Sequence, residues 1–72
     1  MVIKYAIAEK RREIRMTQKQ LAKKAGISTA MISFIENDKR QPTFFVIASI
    51  ARALGVTLNE LVIIRDSYKF FK

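Results

Sequence analysis

Between Gln18 and Asn37 the sequence QKQLAKKAGISTAMISFIEN sets its small and apolar side chains at offsets that few backbone arrangements satisfy. Counted from Gln18 as position one, Leu21 and Ala22 fall at four and five, Ala25 at eight, Gly26 at nine, Ile27 at ten, Ile32 at fifteen and Ile35 at eighteen. The spacing on either side of the glycine predicts two short amphipathic helices joined by a tight turn. Helices that meet steeply need a small residue where their backbones approach, which Ala22 supplies. They also need a residue at ease with positive φ where the first one ends, which Gly26 supplies. Ile27, Ile32 and Ile35 then close the wedge between them.

An ordinary helical hairpin would meet the apolar spacing often, but seldom the alanine and glycine constraints as well. These are the contact points of a helix-turn-helix. Seventy-two residues make one domain, 1–72, with the motif at 18–37, an apolar tail at 62–72 and no room for a separate effector domain. The chain has neither cysteine nor histidine. That removes thiol nucleophiles, the usual zinc ligands and the commonest general base, and it leaves only six carboxylates. An enzyme is not expected, and neither is a metal, a cofactor or a small-molecule ligand. A nuclease in particular would need clustered carboxylates or histidines to hold a metal. No stretch approaches a membrane span and the N-terminus lacks a signal-peptide layout, so a cytoplasmic protein with no membrane role is expected.

Fourteen Lys and Arg against six acids give a net charge of +8, a field that attracts polyanions. Residues 1–40 hold ten basic and four acidic groups, net +6, while 41–72 hold four and two, net +2. Charge therefore accompanies the helix-turn-helix. A solubilising surface or a face for acidic lipid would use such charge too, but its coincidence with this motif favours double-stranded DNA as the partner.

Residues 3–14 place Ile3, Ala6, Ile7, Arg11 and Ile14 at intervals of three and four, which predicts a first amphipathic helix. Arg11 on that otherwise apolar face needs a carboxylate, and Glu36 at the end of the second motif helix is the candidate for a structural ion pair. Thr17 with Gln20 three residues on has the pattern of a capping box, and Ser28 caps the next helix, expected from Thr29 to Asn37. Thr43 opens a fourth helix with Ile47, Ile50, Ala51 and Leu54 inward, closed by Gly55. Thr57 opens a short fifth with Leu58, Leu61 and Val62 as its apolar set. The result is an all-α domain of five helices with no convincing internal strand.

The last stretch is more apolar than a solvent tail should be, with Val62, Ile63, Ile64, Tyr68, Phe70 and Phe71. Two readings stand. The tail folds back on its own core, or Ile63, Ile64, Tyr68, Phe70 and Phe71 bury themselves against a second subunit in a homodimer.

With these elements in place, the chain resembles the Cro and phage-repressor (XRE) family of helix-turn-helix DNA-binding proteins over roughly residues 3–62. The carriers are Arg11, TQKQLAKKAGIS at the turn, ISFIEN in helix three, the KRQP loop and IASIARALGVTLNEL. The resemblance implies a five-helix lambda-repressor-like fold with the motif at helices two and three. It further implies homodimeric binding to a pseudo-palindromic operator and transcriptional regulation, typically repression, on bacterial or phage DNA. Carried over by position, it assigns base reading to Thr29, Ala30, Ser33 and Phe34, and contacts with the DNA backbone to Gln18, Lys19, Ser28, Asn37, Lys39 and Arg40. Gln18 would hold a phosphate or reach a base. Two departures matter: Asp38 stands where glycine often follows helix three, so the reversal falls to Asp or Asn, and Arg15-Met16 stands where Gly-Leu is common.

The reading set has no Arg, Lys, Asn or Gln for bidentate base recognition. Thr29, Ala30 and Phe34 suit thymine methyl groups, and Thr29 and Ser33 make single tolerant hydrogen bonds, which predicts a half-site leaning to A·T. Phe34 points away from the core by its offset from Ile32 and Ile35, and Met31 is expected to be partly buried. The competing class is a protein-interaction module, such as an antitoxin or anti-repressor, that takes a protein partner through its C-terminal tail.

Overall fold

The structure is a computed structural model that describes residues 2–65. In chain order it contains β1 (Val2–Tyr5), α1 (Ile7–Glu13), α2 (Gln18–Ala25), α3 (Thr29–Glu36), α4 (Phe44–Leu54), α5 (Leu58–Leu61) and β2 (Val62–Arg65). The last four helices stand where the motif and caps put them. Thr17, Ser28, Thr43 and Thr57 each accept a hydrogen bond from the backbone N–H three residues on. At Thr17 and Thr57 the side chain three residues on, Gln20 or Glu60, reciprocates, completing a capping box.

Each helix drives one branched aliphatic side chain into the centre. Ile7, Leu21, Ile32, Ile50 and Leu61, one from each of α1 to α5, are fully buried. Burying a side chain of this size contributes about 1.5–3 kcal/mol. Ala22, Ile35, Ile47, Ala51, Ala53 and Leu54 fill the space around them. Ile27 and Met31 pack against this core without being enclosed by it.

Four helices end in the same way. After α1, α2, α3 and α4 the chain turns left-handed at Arg15 (φ 57°), Gly26 (φ 76°), Asp38 (φ 59°) and Gly55 (φ 73°). In each case the next residue's N–H reaches back five positions: Met16 to Arg11 and Ile27 to Ala22 at 3.0 Å, Lys39 to Phe34 at 2.8 Å, Val56 to Ala51 at 3.0 Å. This closure satisfies carbonyls that a helix end would otherwise leave bare. The two positions where the sequence departs from the family's glycines, Arg15 and Asp38, are thus left-handed turns taken by ordinary residues.

The first helix is shorter than its periodicity predicted, and the expectation of no strand is corrected. Val2–Tyr5 is extended and pairs antiparallel with Val62–Arg65, in the register Val2 to Arg65, Ile3 to Ile64, Lys4 to Ile63 and Tyr5 to Val62. The Ala6 N–H donates to the Leu61 carbonyl at 2.8 Å, closing the inner end of the pair. Ile3 and Ile14, expected on the buried face of helix one, are 42% and 49% exposed. Val62, expected on the fifth helix, is its C-cap and opens β2. Branched residues on both segments favour a strand once a partner exists. Of the residues expected in a dimer contact, Ile63 and Ile64 lie in this strand, within the same chain, while Tyr68, Phe70 and Phe71 lie outside the described residues. No helix among the described residues is long and apolar enough to cross a membrane.

Candidate nucleic-acid interface

The outward side of α3 follows from its inward side. Ile32 and Ile35 are buried, so positions 29, 30, 33 and 34, one turn apart in pairs, share the opposite face. Thr29 and Ala30 are exposed, Ser33 is half-buried, and Phe34 is 47% exposed. Lys19, Lys39 and Arg40 are exposed in flanking segments. The outward side of α3 is therefore apolar and hydroxyl-bearing, and the exposed cations lie in the segments before and after it in sequence.

Behind this face lies a polar hub. The Arg11 guanidinium donates through Nε to Glu36 Oε2 at 2.8 Å and through Nη2 to Glu36 Oε1 at 3.1 Å. Its Nη1 donates to the Met16 carbonyl at 2.9 Å. Gln18 Nε2 donates to Glu36 Oε1 at 2.9 Å. A carboxylate only accepts, so the nitrogen of the Gln18 amide must face it. One carboxylate thus fastens α1, α2 and α3 together. Burial works to raise the Glu36 pKa, but hydrogen bonds from Arg11 and Gln18 and the charges of Arg11 and Arg12 outweigh it and hold the carboxyl below its ordinary range. The hydrogen bond to Glu36 raises the Arg11 pKa in turn, against the effect of its own burial.

Gln18 therefore serves the hub through its amide nitrogen, and its side chain is half-buried. Ser28 accepts from the Met31 N–H at 3.0 Å, which leaves its hydroxyl proton free to donate. Asn37 turns its amide back on α3, donating to the Ser33 carbonyl at 2.8 Å. Asp38 pairs with Lys4 of β1 at 2.7 Å, with both side chains near half exposure, and anchors the start of the loop that carries Lys39 and Arg40.

The sequence reading missed two exposed residues that follow the Lys39–Arg40 loop in the chain. Phe44 and Phe45, the first residues of α4, are 75% and 79% exposed. The signal was available for Phe45: at 3.6 residues per turn it falls opposite the stripe of Ile47, Ile50, Ala51 and Leu54.

A helix-turn-helix family model matches residues 7–61. The uncharacterized HTH-type transcriptional regulator y4dJ of Sinorhizobium fredii is 36% identical over 63 residues, which span 88% of this chain and 82% of that protein. An immunity repressor protein of Bacillus phage phi105 is 34% identical over 62 residues, 86% of this chain but only 43% of the phage protein. The chain thus covers less than half the length of that repressor. A crystal structure described as a "putative DNA-binding protein" from Bacteroides fragilis superposes with a TM-score of 0.78 at 26% identity, covering 86% of this chain and all of the other.

Proposed function

Because this chain belongs to the helix-turn-helix family, we propose that it binds double-stranded DNA as a homodimer on a pseudo-palindromic operator and regulates transcription, as a repressor. The observation that carries the reading is the α3 face: Thr29, Ala30, Ser33 and Phe34 stand free of the core on a helix clamped to α1 and α2 through Glu36. Such a face enters a major groove without rearrangement of the domain. Thr29, Ala30 and Phe34 meet thymine methyls, which makes the half-site A·T-leaning, while Lys19, Lys39 and Arg40 supply sequence-independent affinity through phosphates. The work is occupancy of DNA, with no catalysis. The names of the phage repressor and the y4dJ regulator support regulation as the outcome of that occupancy.

Selection of bound duplexes from random DNA, at two salt concentrations and with the oligomeric state measured alongside, tests this. The expected result is two A·T-leaning half-sites about one helical turn apart, bound by a dimer. A monomer with no preference among duplexes overturns the regulator, and a co-purifying protein partner held by the C-terminal tail favours an antitoxin-like role.

A further inference from the structure

Two phenylalanines at the start of α4 project from a backbone that is fixed in place. Thr43 Oγ1 accepts from the Val46 N–H at 3.2 Å, and Ser49 Oγ donates to the Phe45 carbonyl at 3.0 Å, so the first turn is well anchored. The rings themselves are among the most exposed large apolar groups of the described residues, at 75% for Phe44 and 79% for Phe45. They add nothing to the core. They follow Arg40 by four and five residues, and from Lys39 through Asn59 the sequence contains no Asp or Glu. Exposed rings on an acid-free stretch that opens with Lys39 and Arg40 match a surface that is anionic overall and carbon-rich in detail. The backbone of duplex DNA is such a surface, with the C–H faces of deoxyribose exposed between phosphates.

We propose that Phe44 and Phe45 pack on deoxyribose rings of the DNA strand flanking each half-site, extending the α3 contact past the Lys39–Arg40 loop. This inference rests on the DNA-binding reading above and adds a non-ionic contact to it. A second copy of the chain is the rival occupant, but it fits less well. Two phenylalanine rings bury about 500 Å² together at most, short of the roughly 800 Å² per partner of a stable interface. Self-docking would also bring Lys39 and Arg40 of two copies together. On DNA the same cations are neutralised by phosphates, and the rings lie next to them. A contact of this kind is blind to base identity and is not screened by salt, and it makes affinity depend on the shape of the flanking duplex.

The test uses the full chain, its selected duplex, and the Phe44→Ala/Phe45→Ala double variant. A second probe is the same duplex carrying 2′-O-methyl groups on the flanking nucleotides, which crowd the sugars and leave charge and sequence unchanged. The double variant should keep the wild-type melting temperature. It should bind roughly tenfold or more weakly at every salt concentration, with an unchanged salt slope. The methylated duplex should weaken the wild type and leave the double variant little affected. Equal affinity of double variant and wild type, with Lys39→Ala and Arg40→Ala still weakening binding, overturns the sugar contact and leaves the DNA reading standing. Absence of DNA binding by the wild type removes both. A double variant that no longer self-associates in sedimentation, together with indifference of the wild type to the methyl groups, assigns the rings to a contact between copies and overturns the proposal.

Discussion

Arg11 and Glu36, 25 residues apart in sequence, are joined by two hydrogen bonds from one guanidinium to one carboxylate, at 2.8 and 3.1 Å. Their side chains are 12% and 5% exposed, so neither charge is left to water. A pair this enclosed adds little net stability over an apolar substitute, because both charges must be desolvated. Its value lies in placement: the same carboxylate also takes Gln18, and α3 is held to two helices by one side chain.

Removing one member of the pair should therefore harm the protein more than removing both. Arg11→Met alone is expected to cost about 3 kcal/mol, seen as a fall of roughly 10 °C or more in melting temperature. Arg11→Met combined with Glu36→Leu should recover part of the loss. Thermal unfolding of the two single variants and the double variant settles it, and a double variant less stable than both singles contradicts the account.

The same carboxylate predicts an acid limb. Glu36 has a lower pKa folded than unfolded, so the unfolded chain takes up its proton first as pH falls. Its contribution is complete above the unfolded carboxylate range and is lost as pH drops through the depressed folded value. Glu36→Gln should be less stable than wild type at neutral pH and should show a shallower loss of stability towards acid. Parallel pH–stability curves for the two proteins would contradict the assignment.

Helix ends offer a stabilising change. Arg15 holds φ 57°, a conformation that costs an ordinary residue about 1–2 kcal/mol. Arg15→Gly should raise the melting temperature by about 4 °C after the added flexibility of the unfolded chain is counted. Gly26→Ala should do the reverse and lower stability by about 1 kcal/mol through backbone strain alone, since a Cβ there meets no atom within 4 Å. Asp38→Gly should come out near neutral, because relief at φ 59° is offset by loss of the bond to Lys4.

Variants of the proposed interface should separate affinity from preference. Lys39→Ala and Arg40→Ala are expected to weaken binding to all duplexes alike and to reduce the salt slope by about one each. Thr29→Ala and Phe34→Ala should redistribute preference among sequences. An unaltered site profile for both would rule out the readout assigned to α3.

The helices were legible because their signals are local. Thr17 with Gln20, and Thr43 ahead of an inward stripe, mark helix starts within a few residues, and Gly26 and Gly55 mark ends. The reversal after α3, where the family pattern has glycine, falls to Asp or Asn by sequence, and Asp38 takes it at φ 59°. The strands were not legible. No Ser, Thr, Asp or Asn stands before Ile7 to show where α1 begins, and Ala6 caps it without a side-chain bond, so the spacing of Ile3, Ala6 and Ile7 read as continuous helix. What makes Val2–Tyr5 a strand is its partner at the far end of the chain, which no local window contains. The outward-facing chemistry of α3 could be read by subtraction from Ile32 and Ile35. The exposure of Phe44 depends on how far the first turn of α4 overhangs the core, which only the packed structure displays.

The pairing of β1 with β2 also has a consequence for the order in which the protein assembles. The helices gain most of their contacts from near neighbours in sequence, whereas joining residue 2 to residue 65 closes a loop of almost the entire described chain. The strands should then be the last element to zip and the first to fray, with amides that exchange with solvent faster than those of Ile50 or Leu54 in α4. Separation of β1 from β2 would release Lys4 from Asp38. Opening of the β1–β2 pair should thereby reach the loop of Lys39 and Arg40 while the five-helix centre remains closed.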